Sequence, residues 1–234
     1  MTETRALTSV ERIGFSSRLV RVFHAPRSTF ESVADGGSFP DWAAPVALVV
    51  LFWAAHNLAV MPIVFPETTP ELDQMATQAR DVWRSHGWFS LPLVSSFSNL
   101  AIVSLVLLGV SRWVLRAEIT LRQTLAVKAS ASLVAIPQWI LLTLTAGTGL
   151  TTASPLIFTP GVLLADPSAT LPGRILLSLN VFDLWQAVVI GIGLSVLTGQ
   201  ASKRTVSIII SLWVAWAVFG ALAPASAPPP LPTP

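Results

Sequence analysis

The sequence predicts an all-α fold: a polytopic membrane protein built as a bundle of five transmembrane helices, with interfacial helices at its N-terminus. Three observations predict it. Of 234 residues, 53% are hydrophobic and 11% charged, against about a quarter charged in soluble domains. The apolar residues gather in five runs close to the roughly 20 residues that cross a bilayer, and mean hydropathy is +0.68. Lysine and arginine alternate between the connections, so that eleven of fourteen fall on one side. That side is expected to be cytoplasmic by the positive-inside rule.

Composition also narrows the chemistry. The chain has no cysteine, which excludes disulfides, thiol catalysis and cysteine metal sites. Its histidines, His24, His56 and His86, have no metal-ligand spacing. A net charge of +2 does not make a nucleic-acid-binding surface. No metal, cofactor or nucleic-acid partner is expected.

Residues 1–40 are read as a basic, amphipathic cytoplasmic segment. It carries Arg5, Arg12, Arg18, Arg21 and Arg27 and no long apolar run. A cleavable signal peptide is not expected, and targeting falls to an internal apolar segment. In "SSRLVRVFHAPRSTFESVAD" apolar side chains alternate with arginines that can reach headgroups. Pro26 is expected to break the element, and Ser28 to cap a second short helix with Glu31 three residues on. Packing of this segment on the inner end of the bundle is the alternative.

Residues 41–223 are read as the five-helix domain, with spans at about 42–64, 89–110, 124–146, 175–197 and 206–222. Between the first two, "TTPELDQMATQARDVW" repeats Leu72, Met75, Ala79 and Val82 at helical spacing and predicts an amphipathic helix on the outer face. Thr120 and Gln123 form a capping-box pair before the third span, and Pro137 predicts a kink midway. Lys128 lies four residues inside this span and is expected to snorkel to the cytoplasmic headgroups. The 147–173 connection is cut by Pro155, Pro160 and Pro167 and is expected to lie at the outer interface. In the fourth span Gly191 and Gly193 let another helix approach closely. Arg18, Arg21, Arg27, Lys203 and Arg204 are the expected contacts to the inner leaflet. Trp53, Trp139, Trp213 and Trp216 fall within spans and read as packing residues. Residues 224–234 read as a flexible Pro/Ala-rich tail. The orientation follows: N-terminus cytoplasmic, C-terminus extracytoplasmic.

His56, Gln138 and Asp183 each lie eight residues from the outer end of a span, about 12 Å deep at 1.5 Å per residue. Asn57, Asn99, Asn180 and Gln186 fall nearby. A lone carboxylate in hydrocarbon costs several kcal/mol. An internal hydrogen-bonded cluster centred on Asp183 is therefore expected. Three roles stay open at this point: a solute path, a structural network, or an interfacial position for Asp183. No nucleophile elbow, P-loop, zinc-protease or dinucleotide motif occurs, so the chain does not read as an enzyme.

Three stretches resemble the Yip family, five-span membrane proteins named for interaction with Ypt/Rab GTPases, and its bacterial branch in particular. They are "RVFHAPRSTFESVAD", "LRQTLAVKASASLVAIPQWI" and "FDLWQAVVIGIGLSVLTGQASKRTVSIIISLWVAWAVFGAL". The likeness covers about residues 18–224. It implies a non-enzymatic scaffold or accessory protein that contacts the lipid bilayer and docks a membrane partner or a further copy, in export or membrane organisation of a bacterial inner membrane. In eukaryotic members it implies vesicle trafficking, Rab binding and membrane shaping. It draws attention to Pro26, Phe30, Pro137, Asp183, Trp185, Gln186, Gly191 and Gly193, with Gly191, Gly193, Trp185 and Pro137 as the helix-packing and docking set. A small transporter or proton-conducting protein that uses the polar layer around Asp183 is the alternative.

Overall fold

The computed structural model describes residues 15–34, 38–64, 87–148 and 155–222, together with Asp81 and Ser85. The expected outer helix at 69–82, the C-terminal tail, Arg5 and Arg12 lie outside the described residues, except for Asp81.

Among the described residues, five helical segments are long and apolar enough to cross a membrane: Phe39–Val60, Trp88–Val114, Leu121–Gly147, Val181–Thr198 and Ser202–Leu222. The chain is a multi-pass, all-helical membrane protein. Two short helices, α1 (Phe15–His24) and α2 (Pro26–Glu31), precede the spans. The first span is α3 (Phe39–Val64); the second is α4 (Trp88–Gly109), which ends in a π-turn at Val110–Val114. Arg116 then adopts φ 54°, a left-handed turn that redirects the chain toward the third span. Thr120 caps that span through the expected reciprocal pair: Gln123 N donates to Thr120 Oγ1 at 3.3 Å, and Thr120 N donates to Gln123 Oε1 at 2.8 Å.

The third span is interrupted, and the apolar run expected as the fourth is divided into two helices. The third consists of α5 (Leu121–Ser132) and α6 (Ala135–Gly147), separated by Leu133 and Val134. Pro137 supplies the reason. It has no N–H for the carbonyl of Leu133, and its ring crowds that carbonyl. Leu133 O instead accepts from Ile136 N at 3.0 Å, and Val134 N turns back to Ala131 O at 3.2 Å. The fourth region was expected as one helix over 175–197. It is α7 (Leu171–Ser178) followed by α8 (Val181–Thr198), with Leu179 and Asn180 between them. Asn180 is extended, at ψ 134°, and its side chain caps α8 by accepting from Phe182 N at 2.8 Å. The last span is α9 (Ser202–Leu222), joined to α8 through Gly199 at φ 66°.

The third span is central. Its apolar window is 56% buried, against 17% for α4 and 22% for α9. α3, α4 and α8 all pack against it, and α9 packs on α8. The outward sides of α4 and α9 carry exposed residues such as Ile102, Leu105, Leu212 and Phe219, which suits contact with acyl chains. Trp216, expected as a packing residue, is 73% exposed and faces outward.

The N-terminal helices pack into the bundle. Val22 and Phe30 are fully buried in the core with Val127, Ile190 and Leu194. α2 begins at Pro26, two residues before the cap expected at Ser28. Proline at the first helical position loses no bond there, and Ser28 Oγ instead donates to Ala25 O at 3.0 Å. Of the basic residues expected at the lipid surface, Arg21, Arg27, Lys203 and Arg204 are exposed. Arg18 instead turns inward to Asp41 of α3.

Candidate functional site

Two contacts fix the register of α8 against α9. Ser195 Oγ and Ser202 Oγ are 3.0 Å apart, and Gly191 lies against Val206. Followed up this antiparallel pair, Asp183 stands level with Val214, eight residues short of Leu222. That is about 12 Å inside the end of the last span. Asp183 is exposed, on the first turn of the fourth span. The rest of the first turn of α8 is open as well, through Val181, Leu184 and Trp185.

Gln186, one turn further on, meets the interruption of the third span. Its Oε1 accepts from Lys128 Nζ at 2.8 Å, and its Nε2 donates to Ala131 O at 3.3 Å. Both ends of the amide are used, which fixes its orientation. The carbonyl it reaches is one that the interruption deprives of its regular helical partner. Irregular backbone at membrane depth persists only where protein or water satisfies it; Val134 N donates to this carbonyl at 3.2 Å, and Gln186 adds a second donor. Lys128 is buried at 4% exposure. Its head points to α8, not to headgroups as expected, because the amide across the helix gap is within reach. The carboxylate of Asp183 acts on the same ammonium through space without a direct ion pair.

The other polar residues of the expected cluster are placed elsewhere. His56 is buried in α3, with Nδ1 2.9 Å from Thr143 Oγ1 and its ring 5.1 Å from that of Trp139. Trp139 stacks in turn on Trp53. Asn57 donates from Nδ2 to Trp88 O at 3.3 Å and ties α3 to the start of α4. Gln138 is buried on α6, and Asn99 is exposed on α4. Asn180 is a helix cap. The structure thus divides the expected single cluster into a Lys128–Gln186–Asp183 group, a His56–Thr143–Trp139 group, and isolated residues.

Gly191 and Gly193 face other parts of this chain. A Cβ on Gly191 would sit 2.6 Å from Val206 Cα; one on Gly193 would sit 2.8 Å from Val127 Cγ1 and 3.1 Å from Phe30 Cε2. This glycine face, expected as a dock, is filled by α9, α5 and α2. Trp185 is partly covered by Phe23 of α1, in a T-shaped contact at 5.6 Å.

Sequence reasoning did not single out Asp41. It accepts from Ser38 N at 2.6 Å and Ser38 Oγ at 2.7 Å while binding Arg18. Ser followed three residues later by an acid, ahead of an apolar run, is a helix-start signal that could have found it. Among the described residues, no group of three or more metal-ligating side chains comes together. No family model, curated protein or solved structure matches this chain.

Proposed function

We propose that this chain is a non-enzymatic scaffold or accessory protein of a bacterial inner membrane, of the kind its resemblance to the Yip family implies. Its N-terminus is cytoplasmic, its C-terminus extracytoplasmic, and it docks another membrane protein. The observation that carries the docking is Asp183, an exposed carboxylate level with Val214 of the last span and beside exposed Val181, Leu184 and Trp185; we take it to lie in the apolar layer. Hydrocarbon cannot solvate that group. A partner helix that offers a donor or a cation covers it and leaves the adjoining apolar side chains in contact with protein. On this reading the dock is the first turn of α8, since the glycine face is packed by the chain's own helices.

A photoreactive residue at Leu184 tests the reading in native membranes. The expected result is a discrete adduct with one other membrane protein, lost with Asp183→Leu at unchanged membrane abundance. No adduct, or one indifferent to Asp183, would remove the proposal.

A second reading, a small transporter, draws on one observation: Lys128 and Gln186 meet at an interrupted span, and discontinuous helices near the midplane commonly bind solutes. Reconstitution in liposomes separates the two. Flux that is abolished by Asp183→Asn supports transport; no flux under any imposed ion or proton gradient removes it.

A further inference from the structure

We propose that the outward face of α4 is the interface of a parallel homodimer, held at mid-membrane by Ser95, Ser98 and Asn99. This surface lies on a different helix from the dock on α8 and does not rest on it.

α4 is the least covered span, and its exposed face has a pattern that lipid does not require. Leu91, Ser95, Ser98, Ile102 and Leu105 are all exposed and follow one another at spacings of four, three, four and three. That is the seam spacing by which one helix packs lengthwise on another. The second and third of these positions are serines, small enough to let two backbones approach closely. Asn99 flanks Ser98 and is also exposed. It lies eleven residues from Trp88 and fifteen from Val114, or about 17 and 22 Å from the ends of the span. Its amide is thus near mid-membrane, where acyl chains offer no donor or acceptor. The described residues of its own chain provide no hydrogen-bond partner for it.

The chemistry of the face selects a second copy as the occupant. Helix α4 carries no charge from Trp88 to Gly109, so nothing on it calls for an oppositely charged partner. Amides and hydroxyls both donate and accept. A face that presents both is complementary to itself across a two-fold axis. All copies insert with one orientation, so the axis lies along the membrane normal and the two α4 helices run parallel. Each Ser98 then approaches its counterpart, and each Asn99 amide reaches the serine hydroxyls of the other copy.

The absence of cysteine makes the test direct, since an introduced thiol is the only one in the chain. Ser98→Cys and Ile102→Cys, each alone in native membranes under mild oxidation, are expected to give a disulfide-linked dimer. Leu212→Cys, on the exposed side of α9, is the control for random collision and is expected to stay monomeric. In the Ser98→Cys background, Asn99→Leu should lower dimer yield about three- to tenfold, and Asn99→Gln should preserve it. Equal yields at all three thiols, monomer at both seam positions, or indifference to Asn99→Leu would each overturn the proposal. So would a Ser98→Cys adduct whose mass identifies a different protein.

Discussion

Lys128 Nζ donates to Gln186 Oε1 at 2.8 Å, joining the third and fourth spans at the point where the third is interrupted. The bond holds a buried ammonium, and removing either partner alone has unequal consequences. Gln186→Leu leaves the ammonium and the carbonyl of Ala131 without this amide. Its cost should be about 2–3 kcal/mol, because a buried charged donor loses its acceptor. Lys128→Met leaves a neutral amide oxygen unmatched and removes the cation that acts on Asp183 through space, and should cost about 1–2 kcal/mol. The Lys128→Met/Gln186→Leu pair should recover most of the larger loss, since two apolar groups of similar size leave little unsatisfied. Unfolding in detergent micelles across this double-mutant cycle measures the coupling. Simple additivity of the two losses would show that the bond contributes nothing.

Gly191 and Gly193 make a second comparison, in which the nature of the neighbour sets the outcome. A methyl on Gly191 meets the backbone of Val206, and one on Gly193 meets a Val127 methyl and the Phe30 ring. Side chains can shift where a packed helix backbone cannot. Gly191→Ala should therefore cost about 1–3 kcal/mol, as overpacking does, and Gly193→Ala should cost less. Thermal unfolding gives the order. Leucine at either position is expected to prevent the native bundle altogether, which is why such variants do not probe a docking partner.

The His56 ring carries its proton on Nδ1. Thr143 Oγ1 spends its single proton on Trp139 O at 2.8 Å, so it can only accept from Nδ1, 2.9 Å away. Nitrogen NMR of the labelled imidazole should show a proton on Nδ1. Thr143→Val should remove that preference and cost about 1 kcal/mol of stability.

Much of this fold was legible in local signals. The five spans follow from run length and hydropathy, and the cap of the third from Thr120 and Gln123. Pro137 forecast the interruption, although the helix parts at Leu133, because the ring acts on the carbonyl four residues earlier. The fourth span was harder to read. Ile175 to Leu197 is apolar throughout except for Asn180, Asp183 and Gln186, so the polar residues looked like one helix face. Asn180 followed three residues later by Asp183 is also a helix-start signal, but hydropathy over the run hides it. Other features depend on tertiary structure alone. A lysine near a helix end snorkels unless a distant residue gives it an acceptor, and Gln186 lies 58 positions away. Likewise, small residues announce that a helix comes close without saying which one, and for Gly191 and Gly193 the neighbours belong to the same chain.

Arg18 and Asp41 fasten the N-terminal helices to the start of the first span. Their side chains are 19% and 13% exposed, so the pair is shielded from salt far more than the exposed Arg27–Glu31 pair on α2. Asp41 also receives both donors of Ser38, which makes it a junction between helix start and arginine. Asp41→Asn keeps much of the hydrogen bonding but removes the charge, and Arg18→Ala leaves the carboxylate to Ser38 alone. Either change should raise amide exchange in α1 more than in α8 or α9. The core contacts of Val22 and Phe30 are made by residues beyond the pair and keep the segment from leaving entirely. The exchanged-charge variant Arg18→Asp/Asp41→Arg should restore part of the protection, because the two side chains still meet. It should not restore all of it, because arginine at position 41 sits in the positive first turn of α3 and cannot accept from Ser38. Exchange in α1 that stayed at the native rate in all three variants would show that apolar packing alone holds the segment.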